Sequence, residues 1–82
     1  MSQNVPSQTL DVRGEVCPVP DVETKMALKK MKPGEILEVL TDYAMSRERI
    51  PVVVAGLGHE VLEVLEDAPS EWRIFIKVGG AS

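Results

Sequence analysis

Hydrophobic and polar positions fall into six separate runs along the chain. Residues 9–13 form a short alternating run with Leu10 and Val12 on one face, which predicts a strand. The loop Gly14-Glu15-Val16-Cys17-Pro18 follows, and a helix is predicted over about 18–31. Proline suits its first turn, where backbone N–H groups have no partner inside the helix; Pro33-Gly34 ends it. Residues 35–41 are rich in Ile, Leu and Val and read as a second strand. Ser46 is read as the cap of a second helix, whose Ile50, Val53, Val54 and Leu57 recur at i, i+3, i+4, i+7 as one buried stripe. Pro51 is then placed near that helix's start, because deeper inside it would remove a hydrogen bond. Gly58 follows as the C′ residue. Residues 60–66 make a third strand, Asp67-Ala68-Pro69-Ser70 a turn, and the alternating Trp72, Ile74, Ile76 and Val78 a fourth strand.

The order β-α-β-α-β-β predicts an α+β fold. Right-handed crossovers place both helices on one face of a four-stranded mixed sheet closed by a hairpin, a two-layer α/β sandwich. The expected organisation is a flexible N-terminal tail over 1–8, one domain over 9–78 and a flexible C-terminal tail over 79–82. The second sheet face is left open, with Phe75 pointing towards it and away from Trp72, Ile74 and Ile76. Either Ile36 and Leu40 or Leu37 and Val39 accompany Phe75 there, and a partner contact through this face is one reading of it.

Composition narrows the function. At 82 residues the chain buries only about 60–65% of its unfolded surface, so the core is thin. Hydrophobic content of 44% and charged content of 27% are those of an ordinary globular protein. Nine basic against thirteen acidic residues, net charge −4, argue against broad nucleic-acid binding, which needs a basic face. No apolar run is long enough to span a membrane, and the first eight residues lack the features of a signal peptide. A single cysteine forms neither an internal disulfide nor a thiolate zinc site. A cytoplasmic monomer without metal or cofactor is expected.

Cys17 stands where the first strand hands over to the first helix. A helix N-terminus carries about half a positive charge, and a thiolate there is stabilised, with thiol pKa values falling to roughly 3.5–7.5. Pro18 and Pro20 stiffen the segment and leave Val19 and Asp21 as N–H donors. The alternative reading makes Cys17 a small buried hydrophobe. On the helical wheel Pro20, Thr24, Ala27, Leu28 and Met31 form the core stripe. Val19, Val22 and Met26 lie opposite, and Lys25, Lys29 and Lys32 make a basic stripe beside them: a docking surface for another protein, or a solvated lysine face. His59, the one histidine, follows Gly58 and reads as a turn residue.

The run Leu10-Asp11-Val12-Arg13-Gly14-Glu15-Val16-Cys17-Pro18-Val19-Pro20 resembles the Cys-Pro-x-Pro signature of the TusA/SirA family of sulfur carriers. The likeness continues through Met31-Lys32-Pro33-Gly34-Glu35, Ile50-Pro51, Gly58-His59-Glu60 and the last strand. It implies a fold like the C-terminal domain of bacterial translation initiation factor three. It also implies that Cys17 receives sulfur as a persulfide from a cysteine desulfurase or a rhodanese-like donor. Cys17 would then pass it to a downstream acceptor protein, towards tRNA thiolation, cofactor synthesis or sulfur oxidation. Such a protein is a relay more than an independent enzyme. Pro18, Pro20 and Gly14 frame the motif, and Asp11 and Arg13 match the family's strand-end pattern. Arg13 either helps to hold the thiolate or pairs with Asp11. Where the family often has Asp-Asp-Pro, Asp42 is followed by Tyr43-Ala44. Arg49 stands before Ile50-Pro51 in place of an acidic residue, which alters the surface offered to donor and acceptor.

Three rival readings remain at this level. Gly79-Gly80 resembles the tail of a thiocarboxylate carrier, but Ala81-Ser82 follow it. A fold like that of a translation factor suggests an RNA-associated module, which the net charge opposes, and fold alone does not give function. A regulatory or interaction domain with an idle cysteine is the third.

Overall fold

A computed structural model describes residues 6–15 and 19–79, without the side chain of Pro20. The expected tails at 1–5 and 80–82, the residues Val16, Cys17 and Pro18, and the place of Pro20 in the core stripe lie outside the described residues. The chain runs β1 (Gln8–Asp11), α1 (Val19–Lys29), β2 (Ile36–Thr41), α2 (Ala44–Gly56), β3 (Glu60–Ala68) and β4 (Glu71–Lys77). The four strands form one sheet in the order β1-β2-β4-β3. β1 is parallel to β2, whereas β4 runs antiparallel to both β2 and β3. This is the expected α+β sandwich with a mixed sheet. The hairpin β3–β4 turns through Pro69 and Ser70, and its second strand inserts between β2 and β3.

Register decides which face is buried. Leu37 pairs with Ile76, and Val39 with Ile74. Leu10 pairs with Val39, while Val61 and Val64 pair with Ile76 and Ile74. These side chains meet Leu28 of α1, Met31 just after it, and Ile50 and Val54 of α2 in a single core. Burying each large aliphatic there contributes about 1.5–3 kcal/mol. Ile36 and Leu40 therefore share the opposite face with Phe75, settling the alternative left by the pattern.

That opposite face is less bare than the pattern implies. Phe75 is only 5% exposed, because Glu38 and Glu63 stand beside it on the two neighbouring strands. Glu38 accepts hydrogen bonds from Thr9 Oγ1 at 3.0 Å and from Arg73 Nη1 at 3.2 Å. Arg73 also donates to Asp67. Trp72 is half-buried and stands outside the core cluster, although it shares the alternation of Ile74 and Ile76.

The helix ends differ in instructive ways. α2 begins at Ala44 with Tyr43 as its cap residue and no side-chain capping bond. Ser46 is therefore not the cap: it sits inside the first turn, fully buried, and its hydroxyl has no hydrogen-bond partner. With the start moved back, Pro51 is an interior residue, which leaves the Arg47 carbonyl without its i+4 donor. Ile50 and Val54 are buried as expected, and Val53 is half-buried. Leu57 is 47% exposed, because it is the C-cap and has left the helix. Gly58 takes φ +97°, and the bonds from Gly58 N–H to Ala55 O and from His59 N–H to Val54 O close a Schellman turn. At the other terminus β1 starts at Gln8, and Ser7 N–H donates to Ile36 O at 2.7 Å, so pairing begins within the segment expected as a tail. β1 ends at Asp11, short of the expected Arg13, because the chain turns immediately afterwards.

Candidate functional site

The turn is built from Val12, Arg13, Gly14 and Glu15. Val12 is buried in the core and donates its N–H to Leu40 O at 2.9 Å, which anchors the end of β1. Glu15 N–H then donates to Val12 O at 3.1 Å, with Gly14 at φ +86°. That conformation at the third position of a turn favours glycine because of the positive φ itself, which crowds a Cβ against the adjoining carbonyl; an added Cβ meets no other atom within 4 Å. Gly14 N–H donates to Asp42 Oδ1 at 2.9 Å. The residue after β2 therefore holds the turn that follows β1, and the turn delivers the chain towards the Cys17-Pro18 segment outside the described residues.

Arg13 folds back onto the end of its own strand. Its Nη2 lies 2.8 Å from Asp11 Oδ2 and its Nε 3.0 Å from Oδ1, and its backbone N–H also donates to Oδ1 at 3.0 Å. The guanidinium hydrogen bonds, followed by the backbone one, hold the Asp11 carboxyl down at about 2. The same pairing raises Arg13 above its ordinary value, with Glu71 and Asp42 adding smaller favourable contributions. Between the two expectations for Arg13, the side chain takes the ion pair with Asp11. A hollow of about 290 Å³ lies beyond it, lined in part by Arg13, Leu40, Glu71 and Trp72.

α1 begins at Val19. Thr24, Leu28 and Met31 turn inwards, whereas Val19, Val22 and Met26 are 37%, 48% and 54% exposed. Lys25 and Lys29 are exposed on the same helix, and Lys32 just after it. The apolar and basic stripes read from the wheel therefore lie side by side on the outer surface. His59 stands elsewhere. Its Nδ1 accepts the Gly79 N–H at 3.0 Å, beyond the C-terminal end of α2 and so at the end of the sheet opposite to the start of α1.

Two side chains at the end of the sheet where α1 starts carry no sequence signal for their contacts. Asp42 is one, since its bond to Gly14 spans 28 positions. Arg49 is the other: its Nε lies 3.0 Å from Asp21 Oδ2, joining α2 to the first turn of α1. Among the described residues no cluster of His, Cys, Asp and Glu could hold a metal ion, and no helix is long and apolar enough to cross a membrane.

The fold is thus a βαβαββ sandwich in which Asp11 and Asp42 hold the turn that follows β1. The sequence model of the family described as Sulfurtransferase TusA matches residues 8–78, and the chain belongs to that family. A relative from Thermotoga maritima named "Putative sulfur carrier protein" is 74% identical over 72 residues, covering 88% of this chain and 91% of its own. The Escherichia coli protein of the same description, YedF, is 41% identical over 70 residues, covering 85% and 91%. The crystal structure of a SirA-like protein from Desulfitobacterium hafniense superposes with a TM-score of 0.77 at 32% identity. It covers 88% of this chain and 97% of that one.

Proposed function

We propose that the protein is a sulfur carrier that holds sulfur as a persulfide on Cys17 and relays it between two other proteins. The observation that carries this reading is the family match over residues 8–78 with Cys17-Pro18-Val19-Pro20 at the handover into α1. The chemistry is two displacements. The Cys17 thiolate attacks the outer sulfur of a donor persulfide; the donor's S–S bond breaks and the donor leaves as a thiolate. An acceptor thiolate then attacks the outer sulfur on Cys17, and Cys17 leaves as the thiolate it was. The sulfane sulfur moves without net oxidation, so no cofactor is needed. In this reading Gly14 supplies the turn after β1, and Asp11 and Arg13 brace the strand end before the motif. A single cysteine in the chain suits the role, since a second thiol nearby would discharge the persulfide as a disulfide.

The donor is a cysteine desulfurase or a rhodanese-like protein and the acceptor a downstream thiol protein. Both dock on the outer surface of α1, through Val19, Val22 and Met26 flanked by Lys25 and Lys29. The test is intact-mass spectrometry after incubation with a cysteine desulfurase and cysteine. One sulfur atom is gained and then lost on reduction, and Cys17→Ser gains none. An adduct that survives Cys17→Ser would contradict the assignment.

A further inference from the structure

Two sequence features that the sulfur-carrier role leaves unused, Gly58-His59 and Gly79, meet at the end of the sheet opposite to the start of α1. The backbone on both sides of this meeting is fixed. Gly58 at φ +97° closes α2, and His59 N–H donates to Val54 O at 3.1 Å, so the helix end presents the imidazole from a set position. Val78, on the other side, is 5% exposed and belongs to the core. Its N–H donates to Glu35 O at 2.8 Å, and its carbonyl accepts from Gly34 N–H at 2.9 Å. Gly79 then crosses from the turn before β2 to the turn after α2. Its N–H donates to His59 Nδ1 at 3.0 Å, and its backbone lies so close that a Cβ there would run into the Gly58 carbonyl. We infer that Gly58, His59 and Gly79 form a latch that holds the end of β4 closed while the His59 imidazole is neutral and opens when the ring is protonated.

The switch follows from the chemistry of the ring. An imidazole nitrogen accepts a hydrogen bond only while it carries no proton. Acceptance at Nδ1 therefore puts the proton of the neutral ring on Nε2. A second proton makes Nδ1 a donor that faces another donor, the Gly79 N–H. The bond is present at high pH and is lost as the pH falls through the titration of His59; histidine is the side chain that ordinarily changes charge between about pH 5 and 8. The charged groups on the segments that meet here are Glu60 at the start of β3, Lys77 paired with it on β4, and Lys32 and Glu35 in the turn before β2. Glu35 Oε1 accepts from Lys32 N–H at 2.9 Å, and the last turn of α2, 53–56, carries no charged residue. These groups are the same in every variant below.

Because the protein has one histidine, NMR of the ring nitrogens reads this site alone. At about pH 8 the neutral ring should carry its proton on Nε2, with Nδ1 bare. On acidification the residue 79 amide should shift in step with the ring. Its exchange with water, relative to an unstructured peptide at the same pH, should rise about fivefold, the weight of one ordinary hydrogen bond. His59→Asn places a carbonyl oxygen near the position of Nδ1 that takes no proton in this range, so its residue 79 amide should stay protected in acid. Gly79→Ala cannot occupy the place against Gly58, so the amide at position 79 should exchange freely at either pH. Dispersed amide signals from Val39 and Ile74 in the core confirm that each variant is folded. A proton on Nδ1 in the neutral ring would overturn the latch. So would residue 79 protection that ignores the ring's protonation, or a His59→Asn variant that opens in acid as the wild type does.

Discussion

A carboxylate that accepts two hydrogen bonds from one guanidinium and a third from a backbone N–H holds its proton weakly, and Asp11 accordingly sits at about 2. The folded value is depressed. The pair's contribution to stability is therefore complete above the ordinary value of 3.8 and is lost as the pH falls from there towards 2. Both side chains are about half exposed, so screening keeps that contribution modest. Its use is local: it fixes the direction in which the chain leaves β1. In Arg13→Gln the strongest of these hydrogen bonds is gone, and the Asp11 carboxyl should titrate most of the way back towards 4 in a carbon-detected NMR titration. A midpoint that stays at about 2 would contradict the assignment. At this scale Asp11 and Arg13 were legible together as a strand-end pair, because they are two residues apart. Asp21 with Arg49, and Gly14 with Asp42, were not: each contact spans 28 positions and follows from tertiary placement alone.

The two helices show where pattern succeeds and where it fails. In α1 the described core positions Thr24 and Leu28, with Met31 just beyond the helix, are buried as their spacing implied, and Val19, Val22 and Met26 are exposed. The docking role proposed for its outer stripe predicts a charge dependence. Reversing Lys25 and Lys29 together to Glu should slow sulfur uptake from the donor about tenfold at low salt, with the gap narrowing as the ionic strength rises. Equal rates at every salt concentration would place the donor elsewhere. α2 was misread at its start. Tyr43 is not among the residue types that favour a cap and makes no side-chain capping bond, so the reading fell on Ser46 and the true first turn left no mark. The two placements predict opposite outcomes for Ser46→Ala. Loss of a capping hydroxyl costs about 1 kcal/mol, whereas removal of a buried hydroxyl without a partner should stabilise the fold by about 1 kcal/mol. Urea denaturation at unchanged m-value decides between them, and the fold described here predicts the gain.

Across the whole molecule, the element order and the mixed four-stranded sheet with its closing hairpin were legible because each strand and helix carries its own periodicity and the connections are short; the strand order β1-β2-β4-β3 comes from the structure. The exposure of the second sheet face was not. The alternation that points Phe75 away from the core is correct, but its burial depends on Glu38 and Glu63 from the neighbouring strands, a consequence of register. The same split holds for function. Cys17 stood out in the sequence from its place before a helix, and the family match supports the sulfur-carrier role proposed for it. Lysines gather on the outer surface of α1 in a protein of net charge −4, whereas Glu38 and Asp67 on the opposite face of the sheet are paired with Arg73. The measurement closest to the central proposal is the intact mass of the protein followed through one loading and one discharge. Incubation with a cysteine desulfurase and cysteine should add one sulfur atom. After the donor is removed, an acceptor thiol should return the mass to its starting value, and Cys17→Ser should stay unchanged throughout. A wild-type chain that gains no sulfur from either a desulfurase or a rhodanese-like donor, with its thiol titrating as a free cysteine, would contradict the account.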